Sequence, residues 1–222
     1  QLCGSQEKVH LILYRVNGHT VLKNMTAIWI GKQPLTICMP MIKILDAIQI
    51  YKNKFGHDFC DNIQKYADLV CRQKGKTVQP EDESSREVLA YGLKNGNQDE
   101  LYKSIIYTTT SRVLKKYLKT FKMISDCEIL NVDLLKYPEG HYYKPHVDYS
   151  LSTPRNLSII INLNDDYVGG ELYFTSQDSE DIYKIYELKK GDVIIFPSNF
   201  LFPHGIMPVV KGTRYSLITW IK

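Results

Sequence analysis

A histidine and an aspartate stand two residues apart in the tyrosine-rich stretch YPEGHYYKPHVDYS, residues 137–150. Side chains two residues apart on a strand project from the same face, so His146 and Asp148 can converge on one point. An imidazole and a carboxylate placed in this way can share a metal ion. On its own the pair favours an ordinary surface hydrogen bond, so a metal site needs a third partner elsewhere in the chain.

The C-terminal segment FPHGIMPVVKGTRYSLITWI supplies a candidate for that partner, His204. Its pattern predicts a β-hairpin with the three-residue loop 210–212, in which Gly212 takes the left-handed conformation. Such a hairpin would set His204 opposite Ile218. Because strand side chains alternate, it would also turn five residues to one face. They are His204, Arg214, Ser216, Ile218 and Trp220.

Two histidines and one carboxylate on one side of a metal, with open positions opposite, form the ligand set of non-haem Fe(II) oxygenases. A catalytic zinc site also uses three protein ligands and a water, so zinc is the competing interpretation. An inward arginine favours iron. The planar guanidinium of Arg214 suits the far carboxylate of a short dicarboxylate whose other end binds the metal held by His204.

The elements that must position these residues lie in the second half of the chain. From about Cys127 onward, short β-rich runs alternate with turn residues. Many short strands with frequent turns are typical of an all-β sandwich or barrel. The runs are EILNVDLLKY, LSIIINL, ELYF, DVIIF and TRYSLITWI.

The first half of the chain has a different texture. The segment DFCDNIQKYADLVCR, residues 58–72, has helical spacing, and a second helix is predicted from about 99 to 122. Between them the polar stretch QKGKTVQPEDESSREV predicts a surface loop, and residues 75–100 are a candidate lid. Near the N-terminus, two extended runs flank Asn17-Gly18, which predicts a hairpin.

These patterns predict an α+β, mainly β, chain. Residues 1–42 form an N-terminal segment of uncertain role with a β-hairpin, and residues 43–222 form the main domain, with its β core at about 127–222.

Composition gives no reason to expect several classes of partner. The 222 residues carry 28 basic and 24 acidic side chains, and a net charge of +4 gives no reason to expect nucleic acid. Five cysteines without a CxxC pair favour free thiols in a reducing compartment, so we expect a cytoplasmic protein, although its native start can lie upstream of Gln1. No apolar run reaches the length of a membrane span, so no membrane is expected. The oligomeric state is not predicted.

The motifs resemble the prolyl 4-hydroxylase-like branch of the 2-oxoglutarate- and Fe(II)-dependent dioxygenases. YPEGHYYKPHVD is similar to that branch's Y-x2-G-x2-Y-x2-H-x-D, and LNDDYVGGELYF, residues 163–174, is similar to its LN–GGE-x2-F stretch. In the closing segment of the family a basic residue and then a Trp follow the second histidine, as Arg214 and Trp220 do here. The resemblance covers roughly residues 127–222, and residues 43–75 weakly resemble the helical lead-in of such enzymes.

The resemblance implies a double-stranded β-helix (jelly-roll) core with supporting N-terminal helices. It also implies roles for individual residues. His146, Asp148 and His204 would bind Fe(II), and Arg214, assisted by Ser216, would bind 2-oxoglutarate. Tyr137 matches a tyrosine that contacts the cosubstrate in relatives. Tyr143 matches one nearer the substrate, and both tyrosines are also compatible with plain packing. Trp220 lines the pocket or fills the core, and the core is the favoured alternative.

The implied reaction is hydroxylation of a substrate C–H bond, foremost a prolyl residue of a peptide or protein. 2-Oxoglutarate and O2 would be consumed and succinate and CO2 released, with ascorbate as a candidate reductant. A free amino acid or other small molecule is an alternative substrate. A nucleic-acid demethylase is disfavoured, because Trp220 stands where that branch has a second arginine. A non-catalytic jelly-roll protein is disfavoured by the intact metal and arginine residues.

One departure from the family pattern concerns the cosubstrate. Many relatives carry a tyrosine immediately before LN as an extra cosubstrate contact, and this chain has Asn162. GGEL also stands where GGET is commoner. We therefore expect 2-oxoglutarate binding to depend more strongly on Arg214.

Overall fold

The computed structural model describes residues 44–75, 85–121, 127–176 and 181–222, together with the backbone of four short strands nearer the N-terminus. The chain divides into two compact units, Gln1–Lys43 and Ile44–Lys222.

The described residues of the first unit form two antiparallel strand pairs. β1 (Val9–Val16) pairs with β2 (His19–Thr26), with Val9 opposite Thr26. β3 (Ile28–Ile30) pairs with β4 (Gln33–Leu35). The predicted turn at Asn17-Gly18 lies outside the described residues.

The second unit combines two helices with two larger sheets. A 3-10 turn spans Ile44–Ala47, α1 spans His57–Val70 and α2 spans Asn97–Thr120. Both helices confirm the sequence-based expectation to within two residues at each end. Of the helices in the described part of the chain, none is long and apolar enough to cross a membrane.

The strands of this unit are numbered on from the first. They are β5 (Gln49–Tyr51), β6 (Gln73–Lys74), β7 (Arg86–Glu87), β8 (Leu89–Gly92), β9 (Ile129–Tyr137), β10 (Tyr142–His146), β11 (Leu157–Asn162), β12 (Val168–Gly169), β13 (Leu172–Thr175), β14 (Ile182–Tyr186), β15 (Val193–Pro197), β16 (His204–Ile206), β17 (Val209–Lys211) and β18 (Arg214–Ile221).

A seven-stranded sheet forms one layer, in the order β5-β15-β11-β18-β9-β8-β6. Its central strands are buried on both faces, because one face meets the helices and the other meets the second sheet. Leu217 and Ile221 of β18 pack with Ile63 of α1 and Ile106 of α2 in one buried cluster. Their neighbour Ile218 belongs to the other cluster. Because side chains alternate along a strand, β18 contributes to the cores on both sides of its sheet.

A five-stranded sheet, ordered β14-β13-β16-β10-β7, lies over the inner face of the first. Phe174 and Ile206 of this sheet share a buried cluster with Ile160, Phe196 and Trp220 of the seven-stranded sheet. Two facing antiparallel sheets around a common core, with helices on the outer side, confirm the predicted mainly β, jelly-roll architecture.

The predicted surface loop and lid region is partly wrong. Residues 86–87 form β7, which pairs with β10, and residues 89–92 form β8, which pairs with β9. Val88 between them is 1% exposed. The segment therefore contributes one strand to each sheet and buries Val88, and the polar residues that precede it hide this in the sequence. Residues 76–84 lie outside the described residues.

Asp192, immediately before β15, links residues 52 and 53, near the start of the second unit, to the core. Its buried carboxylate accepts hydrogen bonds from the Lys52 ammonium (2.8 Å), the Asn53 backbone N–H (2.9 Å) and the Lys189 backbone N–H (3.0 Å). Burial raises the pKa of the Asp192 carboxyl, but these three donors outweigh it and hold the pKa below its ordinary value of 3.8. The stabilisation is therefore present above about pH 4 and is lost as the pH falls through the folded-state pKa.

We expect Asp192→Asn to lower the free energy of unfolding at pH 7 by about 2 kcal/mol, because an amide removes the charge and one acceptor from three donors. Urea unfolding at pH 7 and pH 3 measures this. The difference in the free energy of unfolding between wild type and Asp192→Asn should be smaller at pH 3 than at pH 7. The control Asp165→Asn, at a site where the ion pair with Lys189 is longer (3.8 Å), should be nearly neutral. A gap that persists unchanged at pH 3 would contradict this account.

Candidate active site

Neighbouring strands of the five-stranded sheet bring the two histidines together. His146 is the last residue of β10, His204 is the first of β16, and the two lie opposite each other across the antiparallel pair. Asp148 lies two residues beyond the end of β10, in a bend rather than on the strand as expected. It nevertheless comes within reach of both imidazoles.

The three side chains fit a single metal ion. The Nε2 atom of His146 lies 3.5 Å from Oδ1 of Asp148, and Nε2 of His204 lies 3.6 Å from Oδ2. One ligand atom from each residue falls within 4.8 Å of the other two. Adjacent ligands around one ion with bonds of ~2.1 Å lie roughly 3 Å apart, so a small closure would complete the set. Two imidazole nitrogens and one carboxylate are donors that suit Fe(II).

The backbone fixes the tautomer of each histidine. Nδ1 of His146 lies 3.0 Å from the Lys144 carbonyl, and Nδ1 of His204 lies 3.1 Å from the Phe202 carbonyl. A carbonyl only accepts, so in each ring Nδ1 donates and Nε2 keeps its lone pair for a metal. The same i to i−2 contact thus prepares both ligands.

The charges of the cluster at neutral pH also suit a cation. Burial raises the pKa of the Asp148 carboxyl, but the neighbouring imidazoles of His204 and His146 and the hydrogen bond from Ser158 outweigh it and hold the pKa below its usual range. Burial, reinforced by the neighbouring His146, lowers the pKa of His204 to about 4. An ionised carboxylate beside a neutral buried imidazole is the form that binds a metal.

Arg214 lies in the same cavity, which encloses about 650 Å³ including its open mouth. Its side chain is among the most buried in the described structure, at 2% exposure. The guanidinium donates to Oγ of Ser216 (2.9 Å) and lies 5.2 Å from the ring centre of Tyr137. Among the described residues, no carboxylate lies within ion-pair distance of Arg214. A buried cation without a counter-charge requires an anionic ligand.

The predicted C-terminal hairpin is wrong. His204 lies in β16 of the five-stranded sheet, whereas Arg214 begins β18 of the seven-stranded sheet. Between them β17 pairs with β12, so the chain crosses from one sheet to the other. The two residues meet the same cavity from facing layers and not from one strand pair. Gly212 does adopt the predicted left-handed backbone, with φ of 85°.

The aromatic residues of the cavity stack on neighbours. The Tyr143 ring lies on His146, with ring centres 3.7 Å apart and planes inclined by 17°, and Arg86 covers its other face. Burial raises the pKa of the Tyr143 hydroxyl to about 12. The Arg155 guanidinium lies 3.6 Å from the ring centre of Trp220. Tyr143 and Trp220 therefore line the cavity and support a neighbour at the same time.

Several residues in or beside the cavity were not anticipated from the sequence. Arg86, Asp133 and Arg155 all line the cavity. Buried Ser158 donates a hydrogen bond of 2.6 Å to Asp148. The only sequence signal for Ser158 is a hydroxyl inside the apolar run LSIIINL. Asp133 is a charged residue inside the predicted strand EILNVDLLKY, whereas Arg86 and Arg155 stand in polar stretches and give no signal.

Asn162, the departure from the family pattern, has a structural role. Its side-chain amide donates to the carbonyls of Asn164 (2.5 Å) and Leu188 (3.0 Å), and the residue is fully buried. It does not line the cavity. The Asn162 amide therefore links two backbone segments of the core.

Comparison with known proteins points to the same region. Residues 132–222 match the family described as the 2OG-Fe(II) oxygenase superfamily. A PKHD-type hydroxylase of Idiomarina loihiensis is 31% identical over 99 residues, which cover 43% of each chain. The chain thus spans less than half the length of this relative.

Solved structures agree on the fold. The viral collagen prolyl hydroxylase of Paramecium Bursaria Chlorella virus-1, in its 2OG complex, superposes with a TM-score of 0.60 at 18% identity, covering 79% of this chain and 95% of that one. A prolyl hydroxylase from Trichoplax adhaerens, bound to a hypoxia inducible factor peptide fragment, gives a TM-score of 0.66 at 15% identity, covering 80% and 84%. These neighbours show the same fold, and residues 132–222, which carry the His-Asp-His cluster, are similar in sequence to the 2OG-Fe(II) oxygenase superfamily.

Proposed function

We propose that this chain is an Fe(II)- and 2-oxoglutarate-dependent dioxygenase that hydroxylates a prolyl residue of a peptide or protein. The observation that carries the proposal is the set of side chains that line one cavity. A three-residue metal cluster lies in the same space as the buried and uncompensated guanidinium of Arg214. A keto-diacid that binds metal at one end and arginine at the other suits this pairing of groups.

His146, Asp148 and His204 would hold the iron. When bound, Fe(II) supplies the oxidation of a substrate C–H bond by O2, coupled to decarboxylation of 2-oxoglutarate to succinate and CO2. One oxygen atom enters the substrate as hydroxyl and the other enters succinate, so the reaction balances. Ascorbate is the reductant we would supply for iron oxidised in uncoupled turnover.

The remaining cavity residues bind and orient. Arg214, oriented by Ser216, would neutralise the far carboxylate of 2-oxoglutarate, and Tyr137 would close the cosubstrate end beside it. Buried walls such as Ile160 and Ile218 would exclude water from the metal. Tyr143 and Trp220 would face the substrate from the mouth.

The prolyl substrate rests on the relatives. The two solved neighbours are prolyl hydroxylases by name, and one holds a peptide fragment. We place this activity in residues 43–222 and treat residues 1–42 as a separate segment of undetermined role. The partner would be the substrate peptide or protein, in a cytoplasmic setting.

A free amino acid is the second candidate substrate. Arg86, Arg155 and Asp133 all line the cavity. Two cations and one carboxylate can match an α-carboxylate and an α-ammonium, which an internal peptide residue lacks.

A mass-spectrometric screen tests both candidates. The 222-residue chain is incubated with Fe(II), 2-oxoglutarate, ascorbate and either proline-rich peptides or free proline. The proposal predicts a 2-oxoglutarate-dependent gain of 16 mass units on a prolyl residue of a peptide. If free proline is converted while every peptide stays unmodified, the peptide assignment is overturned and the second candidate is favoured.

A further inference from the structure

We infer that Ser158 is a positioning residue that fixes which oxygen of Asp148 meets the metal, and that Ser198 in turn holds Ser158. The inference rests on the proposed function, since it concerns the same metal centre. It names two hydroxyls outside the ligand set.

The direction of the hydrogen-bond chain follows from its members. Oγ of Ser158 lies 2.6 Å from Oδ2 of Asp148 and 2.7 Å from Oγ of Ser198. An ionised carboxylate only accepts, so Ser158 spends its single proton on Asp148. Ser198 must then donate to Ser158. The chain runs one way, from Ser198 through Ser158 to Asp148.

The chain ties the metal ligand to the opposite layer of the fold. Ser158 lies on β11 and Ser198 follows β15, two paired strands of the seven-stranded sheet. Asp148 follows β10 of the five-stranded sheet. The backbone repeats the link, because the Tyr149 N–H donates to the Ser198 carbonyl (3.0 Å) and the Ser198 N–H donates to the Asn156 carbonyl (3.0 Å). The bend that carries Asp148 is thus held by side chain and main chain together.

Burial makes the hydrogen bonds of these two hydroxyls difficult to replace. Ser158 is 0% exposed and Ser198 is 1% exposed, so water does not replace either contact. With Oδ2 occupied by Ser158, Oδ1 is the oxygen left without a hydroxyl donor. The carboxylate is therefore prepared to bind through one oxygen before a metal arrives. Second-layer hydrogen bonds of this kind typically change metal affinity by about 10- to 100-fold.

Anaerobic titration of the metal-free chain with Co(II), a spectroscopic stand-in for Fe(II), tests the inference. We expect Ser158→Ala to raise the Kd for Co(II) about 10- to 100-fold and to change the visible d–d spectrum, because Asp148 can rotate or bind through both oxygens. Ser198→Ala leaves the direct bond in place and should raise the Kd about 2- to 5-fold. Thr110→Val is the matched control, since it also removes a fully buried hydroxyl, on α2, and should leave affinity and spectrum unchanged.

The outcomes separate this inference from the proposed function. Wild-type chain that binds no metal would defeat the proposed function itself. Tight binding by wild type and by Ser158→Ala alike, with an unchanged spectrum, would overturn only the inference. If Ser158→Ala does not fold, as judged by circular dichroism, the Ser198→Ala variant is used instead. An unchanged Kd and spectrum in Ser198→Ala would overturn the inference, and a raised Kd for Co(II) would support it.

Discussion

Replacing Asp148 with asparagine is expected to abolish turnover while the fold survives. The amide keeps the size of the carboxylate and an oxygen for Ser158, but it removes the negative charge that lies 3.5 and 3.6 Å from the two imidazoles. A divalent cation then loses its anionic ligand. We expect Fe(II) affinity and succinate formation to fall at least about 1000-fold, equivalent to roughly 4 kcal/mol. Anaerobic Fe(II) titration and succinate release measure the two effects.

The control for this variant is Asp61→Asn, which removes a surface carboxylate paired with Lys190. It should retain full metal binding. The metal-free Asp148→Asn chain should remain folded, as judged by circular dichroism, because the amide oxygen can still accept the hydrogen bond from Ser158. An Asp148→Asn chain that still bound Fe(II) with wild-type affinity would show that the cluster is not the metal site.

The second large effect is expected from Arg214→Met. Methionine fills much of the same space without the charge, so 2-oxoglutarate loses its ionic partner in a water-excluded site. Breaking such a buried pair costs about 3–5 kcal/mol, or roughly 100- to 4000-fold in affinity. Calorimetric titration of 2-oxoglutarate into the Mn(II)-loaded chain measures it. Metal affinity itself should change little.

Arg155→Met provides the matched control, since it removes another arginine from the same cavity. Arg155 stacks on Trp220 and does not share the Ser216 contact of Arg214. Its removal should leave 2-oxoglutarate affinity within about threefold. Equal losses in both variants would mean that the cavity attracts the diacid by overall charge and not through Arg214. The metal-free Arg214→Met chain should be at least as stable as wild type, because an uncompensated buried charge is removed.

Local patterns in the sequence predict much of the fold and of the site. Helical spacing places α1 and α2, and alternation places the strands of the β core. The motif around His146 and Asp148, with His204 and Arg214 downstream, predicts the set of residues that one cavity brings together. These features depend on neighbours along the chain, which a sequence records directly.

The arrangement of these elements is not recorded in the same way. The short β17 pairs with β12, about forty residues earlier, and carries the chain from one sheet to the other. The hairpin pattern around Gly212 predicts the left-handed backbone of that residue correctly. It predicts the wrong partner for the strand that precedes it, because β17 pairs with β12. Cavity residues such as Arg86 and Arg155 become neighbours of the site only through sheet packing. Their chemistry depends on contacts between distant segments, which local spacing does not specify.

The most direct test of the account is anaerobic titration of the metal-free 222-residue chain with one equivalent of Fe(II) followed by 2-oxoglutarate, monitored by visible absorption. The account predicts a weak charge-transfer band that saturates at one equivalent of each, disappears in Asp148→Asn and requires far more 2-oxoglutarate in Arg214→Met. A wild-type chain that stays colourless and retains no iron would contradict it.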